Sequence, residues 1–240
     1  MEDLNTRDRR GYTVFLALFT VKSINKKYSI PKSNTKILKL SSLRRRVALA
    51  AMSCDPEERF TFFWKSRSPF SQFHPSPFHG KPLYCTTPED SVGYTFAHCE
   101  QWMMFNKAKL FQDEESARKI LAETQPEGCK ALGRKVKGFI DILWKQENES
   151  IVKAGNRLKF TQNPDLMREL MQTDGTTLAE ASPFDRVYGI GLSAENPMAR
   201  FRVNWRGQNL LGEILTGLRE ELKAEGYGPG PVSQAGSASK

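Results

Sequence analysis

The sequence predicts an α+β domain, mainly helical with a few short strands. Three observations carry that expectation. Helix-start signals recur through the chain, the clearest being Asn163-Pro164-Asp165: a capping residue, a proline at the first helical position and an acid in the first turn. Two runs read as strands, the aromatic Phe60-Thr61-Phe62-Phe63-Trp64 and the apolar stretch at Leu178 to Ala181. Between them helix follows helix, without the strand–helix alternation of a parallel α/β sheet.

The chain has 240 residues, 39% of them hydrophobic, enough for one large domain or two small ones. Its net charge of +9 is unevenly placed. Residues 1–50 hold twelve Lys and Arg against three acids, and the remaining 190 residues balance at 24 of each sign. A basic segment is thus joined to a neutral body, which has no bulk charge for sequence-independent nucleic-acid binding. Residues 1–58 read as a poorly ordered or targeting extension. The apolar run Tyr12 to Val21 is too short to span a bilayer, and no membrane partner is expected. Cys54, Cys85, Cys99 and Cys129 show no C-x-x-C spacing and there are three histidines, so no metal pattern emerges. Scattered cysteines fit free thiols in a reducing, intracellular setting, most simply the cytoplasm.

The body is expected over residues 59–226. After the first strand, Ser66 to Pro82 contains four prolines and a glycine and reads as a loop anchored by Phe70, Phe73 and Phe78. Pro88 and Gly93 mark a further turn. A helix is expected from about Ala97 to Phe111, with Met103, Met104, Leu110 and Phe111 as its apolar stripe. Glu100 falls on the same side, and so does Lys107 two turns on. An acid on an apolar face is costly unless it is paired or used, and a buried Glu100–Lys107 pair is the structural alternative to a functional acid. Further helices are expected over Glu114 to Glu123, from Pro126, and from about Ile140 to Phe160. Gly133 to Gly138 holds the basic run Arg134-Lys135-Val136-Lys137, a candidate phosphate site or a solvated face.

The helix opened by Asn163-Pro164-Asp165 stops at Thr173-Asp174-Gly175, and the second strand follows. Pro183 removes a donor and biases Ser182 toward extended backbone, ending that strand. Asp185 then sits between the strand and the Gly189-Ile190-Gly191 turn, a placement suited to a carboxylate that must be held still. A last helix follows Trp205 to Asn209, striped by Leu211, Leu215, Leu218 and Leu222, with Arg219 beside the stripe. Residues 227–240 are rich in Gly, Pro and Ser and read as a disordered tail. No Walker A, Rossmann or H-E-x-x-H motif appears, and no cofactor is expected.

Six short motifs in one order resemble the NADAR, or YbiA-like, N-glycosidase family from about Phe62 to Leu222. They are Ser71-Gln72-Phe73, where the family has Ser-Asn-Phe; Glu100-Gln101-Trp102-Met103-Met104 with Lys107-Ala108; and Gly133-Arg134 with Trp144. The others are Lys159-Phe160-x-Gln162-Asn163-Pro164; Leu178-x-Glu180 with Asp185, Tyr188 and Gly189, Tyr188 replacing a Trp; and Asn209-x-Leu211-Gly212 with Arg219. The resemblance implies a YbiA-like fold and hydrolysis of an N-glycosidic bond between ribose and a base or amine. Implied substrates are phosphoribosylamino-pyrimidine intermediates of riboflavin synthesis, or ADP-ribose on guanine, including on nucleic acid. The family's functional residues fall on Glu100, Trp144 and Asp185. The departures at Gln72 and Tyr188 bear on substrate choice.

These residue types suit that chemistry. Cleavage of an N-glycoside builds positive charge at the anomeric carbon, which a fixed carboxylate stabilises, and a carboxylate can also take a proton from the attacking water. Glu100 is the expected base and Asp185 the group that orients the ribose or stabilises the cation. The Trp144 indole can stack on a flat base. Lys107, Arg134 and Lys135 are expected to neutralise phosphates, with Tyr188 and Asn209 also on the substrate. The alternative is a module that binds ADP-ribose without cleaving it. Convergence of Glu100, Asp185 and Trp144 on one cleft would favour the enzyme.

Overall fold

The structure, a computed structural model, describes residues 58–228. The expectations for the basic segment before residue 58, including Cys54, and for the tail after residue 228 lie outside the described residues. Among those described, six α-helices and four short strands follow in the order β1 (Phe60–Phe63), β2 (Phe78–Gly80), β3 (Tyr94–Phe96), α1 (Cys99–Leu110), α2 (Glu114–Ala122), α3 (Pro126–Gly133), α4 (Asp141–Gln162), α5 (Pro164–Gln172), β4 (Thr177–Glu180) and α6 (Leu210–Ala224). The fold is α+β and mainly helical. None of these helices is long and apolar enough to cross a membrane.

β1 and β4 pair in parallel, Phe60 opposite Thr177 and Phe63 opposite Glu180. β2 and β3 form a separate antiparallel pair, Phe78 opposite Phe96. Ser66 to Pro82 therefore contains a strand where the sequence suggested only a loop. Three residues are too few to show an alternation, and the partner strand lies beyond a further turn. The α1 boundary also shifts. Helix α1 starts at Cys99, because His98 caps it: its Nδ1 accepts the Gln101 N–H at 3.0 Å while Nε2 donates to the Thr124 carbonyl at 3.1 Å.

Helix α1 is the centre of the molecule, packed against α2, α3 and α4. It is buried almost all round rather than along one stripe: Cys99 through Asn106, then Ala108 and Lys109. Trp102 fills the space beneath α4 and donates from Nε1 to the Ile151 carbonyl at 2.8 Å. Gly155 makes room for it, since a Cβ there would lie 2.3 Å from Trp102 Cδ1. Helix α6 covers β4 and α4 with Leu211, Leu215, Leu218 and Leu222, all buried. Arg219 is buried beside them and donates to the Thr173 carbonyl and hydroxyl. A smaller core of Ala179, Ala181, Ile190, Leu192 and Ala199 packs with Phe60, Phe62 and Trp205.

Candidate active site

A cleft of about 1020 Å³ opens where the loop after β1, α1, α3, the start of α4 and the loop after β4 meet. Glu100, Lys107, Arg134, Trp144, Asp185 and Tyr188 all line it. Glu100, Asp185 and Trp144 thus converge, the condition that favours an enzyme over a binding module. Lys135 and Asn209 do not line the cleft. Lys135 is exposed beyond the end of α3. Asn209 is fully buried and structural: its Oδ1 accepts the Glu180 N–H at 2.9 Å and its Nδ2 donates to the Leu178 carbonyl at 2.9 Å. Its backbone is left-handed, at φ 55°, a conformation Asn tolerates better than most residues.

Glu100 sits in the first turn of α1, 3% exposed. The other buried polar side chains of the helix are satisfied. Gln101 donates to the Ile120, Leu121 and Glu123 carbonyls, Asn106 accepts from Leu83 N–H, and Lys109 pairs with Asp90 and Glu114. Glu100 Oε1 is buried with no partner. The Glu100–Lys107 pair weighed from the sequence is not formed: Lys107 Nζ donates to the Gly133 carbonyl at 2.9 Å and lies 5.3 Å from the Trp144 ring centre. Burial pushes the Glu100 carboxyl up to about 7. Lys130 and Arg134 oppose the rise, while Asp185 and Glu127 add to it.

Among the described residues, three buried side-chain atoms lack a hydrogen-bond partner: Gln72 Nε2, Glu100 Oε1 and Glu180 Oε2. All three residues line this cleft. Buried polar groups are normally satisfied, so orphans gathered in one cavity mark a place prepared for a ligand's own polar groups. Glu180 was not singled out as a site residue in the sequence. A signal was present, since Glu180 shares a strand face with fully buried Leu178, an acid in phase with the core.

The walls are held by backbone bonds. The Gln72 carbonyl accepts the Glu100 N–H at 3.0 Å, and the neighbouring Ser71 carbonyl accepts from Lys159 Nζ at 3.0 Å. Lys159 is fully buried, and that burial lowers its pKa to about 8. Asp185 Oδ1 accepts the backbone N–H groups of Val187 and Tyr188, both at 2.8 Å, and the Asp185 N–H donates to Ser182 Oγ. The loop is therefore pinned about its carboxylate, with no Asp185–Arg186 ion pair among the described residues. Burial and the surrounding carboxylates Glu100, Asp185 and Glu180 push the Tyr188 hydroxyl well above its ordinary value, keeping it a donor. At the mouth, Phe184 is almost fully exposed and lies 6.3 Å from Trp64, centre to centre.

The NADAR domain family matches residues 62–223. The chain is similar to N-glycosidase R617 of Acanthamoeba polyphaga mimivirus, 44% identical over 126 residues, covering 52% of this chain and 74% of the relative. It is also similar to protein irg-1 of Caenorhabditis elegans, 38% identical over 176 residues, covering 71% of this chain and 83% of the relative. The solution structure of the Escherichia coli protein YbiA superposes with a TM-score of 0.55 at 22% identity, over 73% of this chain and 92% of that one, and shares the fold. With a family match spanning most of the body and four of the six motifs lining one cleft, the chain belongs to the NADAR domain family.

Proposed function

We propose that this chain is a hydrolase of N-glycosyl bonds, acting on a ribose joined through its anomeric carbon to the nitrogen of a planar base or amine. The observation that carries the reading is the cluster of orphaned, buried carboxyl oxygens in a cleft that also holds an indole and several cations. The N-glycosidase name of the mimivirus relative supports it. A binding module for ADP-ribose has no need of unpaired buried acids, which are costly to keep.

The chemistry follows from the placement. Trp144 offers a face for the base, and Lys107, Lys130 and Arg134 offer positive charge for phosphate. Glu100 takes a proton from the attacking water. A carboxyl titrating near 7 is a stronger base than an ordinary one and is still substantially ionised at neutral pH. Asp185, fixed by two N–H donors, sets a negative charge near the developing cation. Substrates of this description are phosphoribosylamino-pyrimidines and ADP-ribosylated guanine, free or on nucleic acid. The test is to incubate the protein with both and detect released base by mass spectrometry. Release from either supports the reading, and binding of ADP-ribose without release from any N-riboside returns the chain to a reader.

The cations give a separate prediction. Arg134→Ala should raise KM by the equivalent of about 1–3 kcal/mol, with kcat changed less, as expected for a lost charge-assisted contact to phosphate. An unchanged KM would return Arg134 to an ordinary solvated position at the end of α3.

A further inference from the structure

Of the carboxyls lining the cleft, Glu127 and Asp141 are exposed, and the assignments above leave Glu180, whose Oε2 is buried, without a task. The backbone of Glu180 is tied on every side. Its N–H donates to Asn209 Oδ1, its carbonyl accepts the N–H groups of Ser182 and Ile190, both at 2.8 Å, and it closes the β1–β4 ladder opposite Phe63. Gly189 crosses so near that a Cβ there would lie 2.9 Å from the Glu180 carbonyl oxygen. The side chain contrasts with this anchorage: Oε2 is buried in the cleft wall with no partner. A rigid backbone carrying an unsatisfied carboxyl into a cavity is how a reacting group is positioned, since a merely structural acid would be paired.

We infer that Glu180 is the general acid that delivers a proton to the leaving nitrogen, an assignment that rests on the N-glycosidase reading. As the C–N bond breaks, its electron pair goes to nitrogen, which takes the Glu180 proton. The water oxygen bonds to the anomeric carbon, and the water proton goes to Glu100. A proton passing back from Glu100 to Glu180 through water resets the pair, so atoms and charge balance without a further reactant. Asp185 is the poorer donor, because its Oδ1 already accepts two N–H groups. The surroundings raise both glutamates. Burial first, then the adjacent Asp185, push Glu180 up to about 7, with Lys130 on α3 opposing and Glu100 on α1 adding. Burial likewise pushes Glu100 up to about 7. Tyr188, from the same loop as Asp185, also lies in this group of charges and stays protonated. Both glutamates are thus raised to about 7, and the reaction starts from the state in which Glu180 holds the proton and Glu100 does not.

The test uses a series of 5-phosphoribosylamino-pyrimidines whose ring substituents vary the basicity of the leaving amine. For the wild type, kcat should depend weakly on leaving-group basicity at pH 6 and steeply at pH 8.5, where the acid is ionised. Glu180→Gln should show the steep dependence at both values. It should lose ~10²–10⁴-fold in kcat on the most basic leaving group and less than ~10-fold on the least basic. A loss equal across the series, or no loss, in a folded Glu180→Gln protein would overturn the assignment. If that variant does not fold, the wild type decides: a leaving-group dependence unchanged between pH 6 and 8.5 overturns it equally. Wild-type release that ignores Glu180 removes this inference alone, whereas no release from any member of the series removes the N-glycosidase reading with it.

Discussion

Glu100→Gln should melt at a higher temperature than the wild type at pH 8, although it replaces a residue of the central helix. In the unfolded chain the carboxyl titrates near its ordinary value of 4.5, and in the fold near 7. Below pH 4.5 both states hold the proton and the site costs nothing extra. As pH rises from 4.5 to 7 the unfolded chain ionises first, so the folded protein loses stability, and above 7 the full cost remains. A displacement of this size corresponds to about 3 kcal/mol, all of which the neutral amide avoids. The gain of Glu100→Gln over wild type should therefore be absent at pH 4, grow between pH 4.5 and 7, and level off above. Thermal melting across that range checks it. A structural Glu100 gives the opposite sign, with the variant melting lower at every pH.

Asn209→Ala should be among the most damaging single substitutions in the body, costing about 3–7 kcal/mol. It leaves the Glu180 N–H and the Leu178 carbonyl without their partners, at about 1–3 kcal/mol each. It also places alanine at a left-handed position, worth about 1 kcal/mol more. No nearby group can replace the amide, because α6 lies so close to β4 that a Cβ on Gly212 would come within 2.1 Å of the Leu178 carbonyl oxygen. Chemical denaturation should show the loss while KM of the folded protein stays near wild type. A raised KM with unchanged stability would mean that Asn209 touches substrate after all, as the motif alone suggested.

Asn209 illustrates what spacing along a chain can and cannot show. The helix beginning at Pro164, the strand at Leu178 and the leucine stripe of α6 were legible, because caps, prolines and periodicity are local signals. The β2–β3 pair was not, since Phe78–Gly80 is a three-residue strand among prolines, defined only by the partner it meets. The sequence gives helix α1 one apolar stripe through Met103, Met104, Leu110 and Phe111, yet the polar Gln101, Asn106 and Lys109 are buried as well. Their partners at Ile120, Leu83 and Asp90 come from other segments. In the site, Glu100 stood out as an acid among methionines and Asp185 as an acid in a braced loop. Lys107 shared the face of Glu100 without pairing with it, because the Gly133 carbonyl took its ammonium instead. Glu180 lies 80 positions from Glu100, and only the fold brings both into one cleft.

The most direct test of the account is single-turnover base release by the wild type and by Glu100→Gln at saturating N-riboside, with ligand affinity measured on the same preparations. The account predicts release by the wild type, a ~10²–10⁴-fold slower rate in the variant, and an affinity little changed, because the amide keeps the shape of the acid but cannot take the proton from water. Full base release by a folded Glu100→Gln protein would contradict it.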